Sequence, residues 1–333
     1  MVAKIKVIVV GLGEIGQQTC NLILQKKSLE LIAAVDVDPA KSIKDLGEIL
    51  KKEKIGIKVY DDLKSALLEQ KPEVTILTSK SRLNEIANDI FLCIEHHSSV
   101  ISSCEELLFP FEKHKKLSEE IDLKAKENFV HVLGTGVNPG FIMDTLPVFL
   151  TSICSNIKSI KIHRVVDLNK RRKNLQAKIG LGMTKNEFKK LSQNKGIGHV
   201  GLMESAKFLN YYSKLGASKF SEQIVPILAK RNFKTKFFEV KKGQLAGLKH
   251  SILAKSENKK VLELRLILSA DVKEEYDEIY IEGTPSIHLK FEKGIAGDIA
   301  TVAMMVNVIP NLLHARYGLI TMKDIIIPSI LNV

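Results

Sequence analysis

Two adjacent acids, Glu105 and Glu106, follow the apolar run SVISSC. A carboxylate held at the carboxyl end of a buried strand can serve as a general base. The same pair reads equally well as the solvated start of a helix or turn. Upstream, GLGEIG places Gly11, Gly13, Glu14, Ile15 and Gly16 directly after the run KIKVIVV, and Asp36 lies twenty residues beyond Gly16. In this spacing the first glycine permits a tight turn. The second lets a phosphate approach the backbone, the third lets helix and strand pack closely, and the acid meets ribose hydroxyls. The pattern is a nicotinamide-dinucleotide cradle. Asp36 favours NAD over NADP, because a 2′-phosphate would meet a carboxylate there, and Lys41 is the nearest base. Thr78 and Ser79 end a further apolar run, where they either border the cofactor or cap the next helix.

The segment GTGVNPGFIMDTLP at 134–147 is a preset turn that packing alone does not explain. Thr135 is a candidate for substrate contact, and Asn138, Pro139 and Gly140 for cofactor contact; the competing reading is a structural hinge. Further along, His199 sits among glycines in GIGHVGLMES. Arg164, Arg171 and Arg172 lie in HRVVDLNKRRKNLQ, and all four are candidates for binding an anionic substrate group. The alternatives are a packing role for His199 and a surface basic strip for the arginines. No pair of histidines or cysteines has metal-ligand spacing, so no metal is expected.

These groups need a scaffold. Up to about residue 137, short apolar runs alternate with amphipathic stretches: strands at 4–10, in LELIAAVDVDP, at 73–79, within 98–105 and at 129–136, with helices at 14–27, 82–96 and 112–127. That order predicts a doubly wound, Rossmann-type parallel sheet over residues 1–137. From 138 to 294 strand-like runs dominate, around a helical region at 185–231, and predict a second α+β domain with an open mixed sheet. Residues 295–333 return as a helical segment to the first domain, with Asp298 as N-cap and Pro310 breaking the helix. The substrate is expected between the two domains.

Composition narrows the classes. The 333 residues carry a net charge of +12, but the lysines are scattered, aromatics make up 6% and tryptophan is absent, so no nucleic-acid platform is expected. No apolar run approaches the roughly 20 residues that span a bilayer. The four cysteines fit a reducing compartment. A cytoplasmic enzyme taking a small molecule is the expectation, and a homodimer would cover the open face of the second sheet.

With these motifs in place, GTGVNPGFIMDTLP, SSCEELLFP, VVDLNKRRKNLQAKIGLG, GHVGLMES and GIAGDIATVAMMVNVIP together resemble the family of 2,4-diaminopentanoate dehydrogenases and native amine dehydrogenases, whose fold is similar to that of dihydrodipicolinate reductase. The resemblance implies NAD(P)-dependent oxidative deamination of 2,4-diaminopentanoate to 2-amino-4-oxopentanoate and ammonia, a step of ornithine breakdown, with the catalytic base in the Glu105–Glu106 pair. It departs at HARYGLITMKD, where Arg316 and Tyr317 stand in place of a proline-glycine turn. The rival readings are a cyclic-imine reductase and a non-catalytic NAD-sensing regulator.

Overall fold

The computed structural model describes residues 3–193 and 198–332. The chain divides into two compact units, residues 1–141 with 296–333, and residues 142–295.

Unit 1 opens with β1 (Ile5–Val10), α1 (Glu14–Ile23), β2 (Leu29–Val35), α2 (Leu46–Ile49), β3 (Val59–Tyr60), α3 (Leu63–Gln70), β4 (Val74–Leu77), α4 (Leu83–Glu95), β5 (Ser99–Ser102), α5 (Lys115–Glu127) and β6 (His131–Gly134). Its strands are short apolar runs buried along most of their length, as a parallel sheet covered on both faces requires. The side chains of β1 alternate between two cores. Val7 and Val9 pack with Cys20 and Ile23 of α1, and Ile8 and Val10 pack with residues of α3, α4 and α5. Helix α4 buries Leu83, Ile86, Ala87, Ile90, Cys93 and Ile94, a stripe at helical spacing.

Unit 2 holds α6 (Thr145–Leu150), β7 (Asn156–Asp167), α7 (Lys173–Ile179), α8 (Lys185–Gln193), α9 (Leu202–Tyr212), β8 (Lys219–Leu228), the short pair β9 (Phe233–Lys234) and β10 (Glu239–Val240), β11 (Leu245–Ser256), β12 (Lys259–Ser269), β13 (Tyr276–Thr284) and β14 (Ile287–Phe291). Six strands form an open sheet in the order β14-β13-β7-β12-β11-β8; only the β7–β12 pair is parallel. One face, with Ile160, Ile162, Leu264, Leu266 and Ile252, is buried, and α9 packs against β11 and β12. The other carries half-buried polar groups such as His163 and Arg265. The helical region expected at 185–231 is shorter than that. Residues 219–228 form the edge strand β8, which tolerates Pro226 because an edge strand leaves one side unpaired.

The chain then returns to unit 1 as α10 (Gly297–Asn307), α11 (Ile309–Leu312) and β15 (Gly318–Ile320). Helix α10 packs on α1, and β15 joins β6 in parallel, completing the order β15-β6-β5-β4-β1-β2-β3. Pro310 lies in the first turn of α11, just beyond the break between the two helices. The N-cap of α10 is Ala296. Asp298 stands inside the first turn, where a carboxylate favours the helix dipole without capping it.

Candidate active site

In unit 1 the polar candidates gather at the carboxyl ends of the parallel strands. The three glycines of the first loop differ in what makes them glycine. Gly11 has φ +89°, which favours glycine, and a Cβ on Gly16 would stand 1.9 Å from the Gly11 carbonyl oxygen. Gly13 has an ordinary extended backbone, and a Cβ there would meet nothing within 4 Å. No contact among the described residues demands glycine at 13, and the open backbone there would let a ligand phosphate approach closely. Gly13, the N-cap of α1, supplies no side-chain cap, and a helix N-terminus of this kind, with Glu14 and Ile15 in its first turn, can take an anion. These features fit a dinucleotide pyrophosphate.

Asp36, one residue beyond β2, accepts from Leu12 N (2.7 Å), Asp38 N (2.9 Å) and Lys41 Nζ (3.0 Å). Burial pushes its carboxyl up, but the Asp38 amide, the Lys41 ammonium and the Leu12 amide outweigh that and hold it below the usual range. Thr78 donates to Val10 O (3.0 Å) and Gly11 O (2.7 Å), so its hydroxyl clamps the glycine loop. Ser79 lies against the same loop, its Cα 3.1 Å from where a Gly11 Cβ would be. Neither residue caps α4. That task falls to Glu106, whose carboxylate accepts from Leu83 N (2.9 Å).

The two acids after β5 therefore have different environments. Both sit on a 3₁₀ turn, Glu105–Leu108. Glu106 is 3% exposed. Besides Leu83 N it holds His114 Nε2 (3.0 Å) and Lys113 Nζ. Burial raises its carboxyl pKa, yet Lys113, the Leu83 amide and His114 bring it below the usual carboxylate range. Glu105 is half-buried and stands outside that network of three donors. The turn is set against β6 through Gly134, where a Cβ would lie 2.5 Å from the Leu107 carbonyl carbon.

Beyond β6 the 135–140 turn is tightly wound. The Asn138–Pro139 peptide is cis, and Gly140 has φ +127°, with room for a Cβ closed by Gly136 N at 2.2 Å. Thr135 is turned inward, its hydroxyl on Met322 Sδ (3.0 Å), so it does not offer that hydroxyl to a ligand. Asn138 Oδ1 is buried with no hydrogen-bond partner. A buried acceptor in that state calls for a donor, which an amide or ammonium N–H of a ligand would supply. Thr301 of α10, which lies in the GIAGDIATVAMMVNVIP segment but has no role there from its sequence alone, accepts from Val137 N (3.2 Å) and pins this turn.

Unit 2 holds the remaining candidates. Arg164 is neither a surface residue nor a free anchor. It is 3% exposed, forks onto both oxygens of Asp277 (2.6 Å each) and donates to Ile295 O (2.8 Å). Arg171 donates to Glu275 Oε1 at 3.3 Å, and Arg172 precedes α7 at its N-cap. His199 has an enclosed Nδ1 without a partner. Burial, followed by the charges of Lys178, His250 and Arg164, lowers its pKa to about 3, so it is neutral at physiological pH. His250, on β11, is 2% exposed, gives or takes a bond at Nε2 with Glu222 (2.8 Å), and also has an unpartnered Nδ1. The sequence carried one usable sign of it, a histidine at an inward position of an alternating strand. Among the described residues no group of three or more His, Cys, Asp or Glu could hold a metal ion, and no helix is long and apolar enough to cross a membrane.

Residues 141–332 match the family of the 2,4-diaminopentanoate dehydrogenase C-terminal domain, and residues 5–104 the N-terminal domain of dihydrodipicolinate reductase. The chain is 30% identical to a 2,4-diaminopentanoate dehydrogenase of Acetoanaerobium sticklandii, over 98% of this chain and 94% of that protein. It is 25% identical to an amine dehydrogenase of Streptomyces virginiae over 49% of this chain and 46% of the other. Its fold is that of an amine dehydrogenase from Mycobacterium smegmatis, with a TM-score of 0.88, 21% identity and 98% of each chain covered.

Proposed function

Because the chain belongs to the 2,4-diaminopentanoate dehydrogenase family, we propose that it oxidatively deaminates the C4 amine of 2,4-diaminopentanoate, giving 2-amino-4-oxopentanoate and ammonia at the expense of NAD(P). The observation that carries the reading is the unequal pair after β5. Glu106 is committed to three donors and caps α4, and we assign the base to Glu105, which is half-buried at the carboxyl end of β5.

An alkylammonium has no lone pair to drive hydride loss. Glu105 takes its proton first, and the free amine can then release hydride from carbon. Bound nicotinamide supplies the hydride acceptor. Glu105 then releases that proton to solvent, takes one from the water that adds to the iminium carbon, and passes it to the carbinolamine nitrogen, which leaves as ammonia while the hydroxyl loses its proton and the carbonyl forms. Reductive amination runs the same steps backward. Asn138 Oδ1 offers an acceptor for an N–H of the substrate amine or of the nicotinamide carboxamide, while Pro139 and Gly140 hold it in place. The amides of the 11–16 loop and the N-terminus of α1 hold the pyrophosphate, and Asp36 favours the unphosphorylated ribose of NAD. A diamino acid also carries a carboxylate, for which Arg171, Arg172 and His199 of unit 2 are the candidate partners. A homodimer covering the polar face of the unit 2 sheet, and a reducing cytoplasmic setting for the buried thiols, complete the proposal.

The test is turnover of the diamine, followed by the absorbance of the reduced cofactor. Glu105→Gln should lower kcat by about 10²–10⁴-fold with cofactor affinity retained. Wild-type turnover of the diamine with undiminished activity in the variant would move the base elsewhere. No turnover of any amine by the wild type would sink the proposal.

A further inference from the structure

Capping α4 does not by itself account for Glu106. The N-cap of that helix is Arg82, which supplies no side-chain cap. A serine or aspartate at that position would do the task locally. Instead the cap comes from a buried acid 23 residues on. A buried acid needs counter-charges, and Lys113 and His114 bring them from the entry to α5. The main chain of the same residue joins in, Glu106 N donating to Ser81 O (3.3 Å). One residue thus ties together three segments: 81–83 after β4, the 3₁₀ turn after β5, and 113–114. Glu105 lies between fastened neighbours. Before it, Ser103 N donates to Leu77 O (3.1 Å), and Ser102 Oγ donates to Leu77 O (3.0 Å) and accepts from Cys104 N (3.1 Å). After it stands Glu106 with its own anchors. In a 3₁₀ turn successive side chains stand about 120° apart, from three residues per turn, so anchoring Glu106 fixes the bearing of Glu105. The 81–83 segment itself follows Thr78, whose hydroxyl clamps the glycine loop. A continuous path therefore runs within unit 1 from the glycine loop through Ser81 and Glu106 to Glu105.

We propose that Glu106 is a positioning residue for the reaction: held by Leu83, Lys113 and His114, it sets the Glu105 carboxylate in register with the glycine loop. The proposal rests on the assignment of the base to Glu105. Glu106 touches neither substrate nor cofactor in this role. It acts through its neighbour, by keeping the turn from rotating and the base from swinging out of reach of the ammonium proton. Proton transfer is steep in distance, and a displacement of an ångström is costly to the rate while leaving binding nearly as it was. The loss of Glu106 should therefore fall on kcat and not on KM.

Steady-state kinetics with the diamine, expressed per NADH-binding site counted by titration, test this. Glu106→Gln keeps an acceptor for Leu83 N and loses both cationic arms. Its kcat should fall by about 10–10²-fold, with the KM of the diamine and the NADH dissociation constant changed by less than about threefold. His114→Ala keeps the carboxylate and removes one arm, and should show the same split at about three- to tenfold. In a Glu105→Gln background neither substitution should lower kcat further, because a positioning residue acts only through the group that it positions. The His114→Ala cycle carries the test alone where Glu106→Gln yields no folded protein. Unchanged kcat in both variants, a raised KM with kcat retained, or a further loss in the double variants equal to that in the single ones would overturn the positioning role and leave an inactive Glu105→Gln to support the base assignment. A fully active Glu105→Gln would overturn the base assignment and this proposal with it.

Discussion

Asp36 and Glu106 in unit 1 are each fastened by main-chain N–H groups together with a lysine that is partly exposed, whereas Arg164 and Asp277 in unit 2 are both buried and fastened chiefly by each other. The first arrangement uses loops and helix ends, where backbone donors lie free for a side chain. It fixes a carboxylate while leaving the lysine counter-charge within reach of solvent. The second joins two strands of the sheet, β7 and β13, at the paired positions Arg164 and Asp277. Burial there opposes both charges, raising the Asp277 pKa and lowering that of Arg164, and the pair survives because each supplies the counter-charge of the other. Acids held by the backbone can be tuned one at a time; a buried ion pair stands or falls together.

The largest test of that contrast is Arg164→Met. It leaves Asp277 buried and unpaired and should cost about 3–5 kcal/mol in urea denaturation followed by circular dichroism. The double variant with Asp277→Leu should recover much of the loss. A single variant as stable as wild type would mean that the pair does not hold unit 2. Glu106→Gln keeps one acceptor for Leu83 but loses its ion pairs. A loss of about 1.5–3 kcal/mol is expected, with cofactor titration unchanged. A loss as large as that of Arg164→Met would erase the distinction between the two units.

Gly16→Ala forces a methyl against the Gly11 carbonyl and should cost about 1–3 kcal/mol, together with a measurable weakening of NADH binding. Gly13→Ala should leave stability unchanged and weaken NADH alone. The most gradual effect is in the pH dependence. Asp36 and Glu106 have lowered pKa values, so the stability they lend is complete above the ordinary carboxylate range and is lost as pH falls through their folded-state values. His199 shifts from 6.5 to about 3 and stays neutral in the folded chain while the unfolded chain gains a proton. Stability should therefore decline from pH 6.5 downward, by at most about 1.4 kcal/mol per pH unit from this group. His199→Gln should flatten that part of the profile between pH 6.5 and 4.5; an unchanged slope would show that the ring is not held neutral.

What could be read from the sequence follows the same division. The glycine loop, the parallel strands and the acids that end them are local patterns, and the element order of unit 1 follows from them. The choice between Glu105 and Glu106 was not local, because it depends on Leu83, Lys113 and His114 arriving from two other segments. His250 does not stand out in the sequence because its partner, Glu222, lies on the neighbouring strand β8, in a stretch that reads as helical by pattern. Arg164 reads as surface or substrate-facing because its partner lies 113 residues away. Polarity alone makes Thr135 a ligand candidate, and only Met322, from the returning segment, shows where its hydroxyl goes.

That returning segment bears on how the protein is made. The core on the α1 side of the unit 1 sheet includes Met305, Val306, Ile309, Leu312, Ile320 and Met322 beside Val7, Val9 and Cys20. Unit 2 occupies the 154 positions from 142 to 295 between the two parts. At roughly 5–20 residues per second, the ribosome spends on the order of 8–30 s on that stretch. For that time the nascent β1–α1 layer lacks its covering helix, and at its end unit 2 has all of its own residues while unit 1 still waits for its last ones. Unit 1 is thus begun first and completed last. A stop just before α10 would release a chain with a complete middle and a sticky beginning, the kind of product that chaperones and proteases are built to intercept.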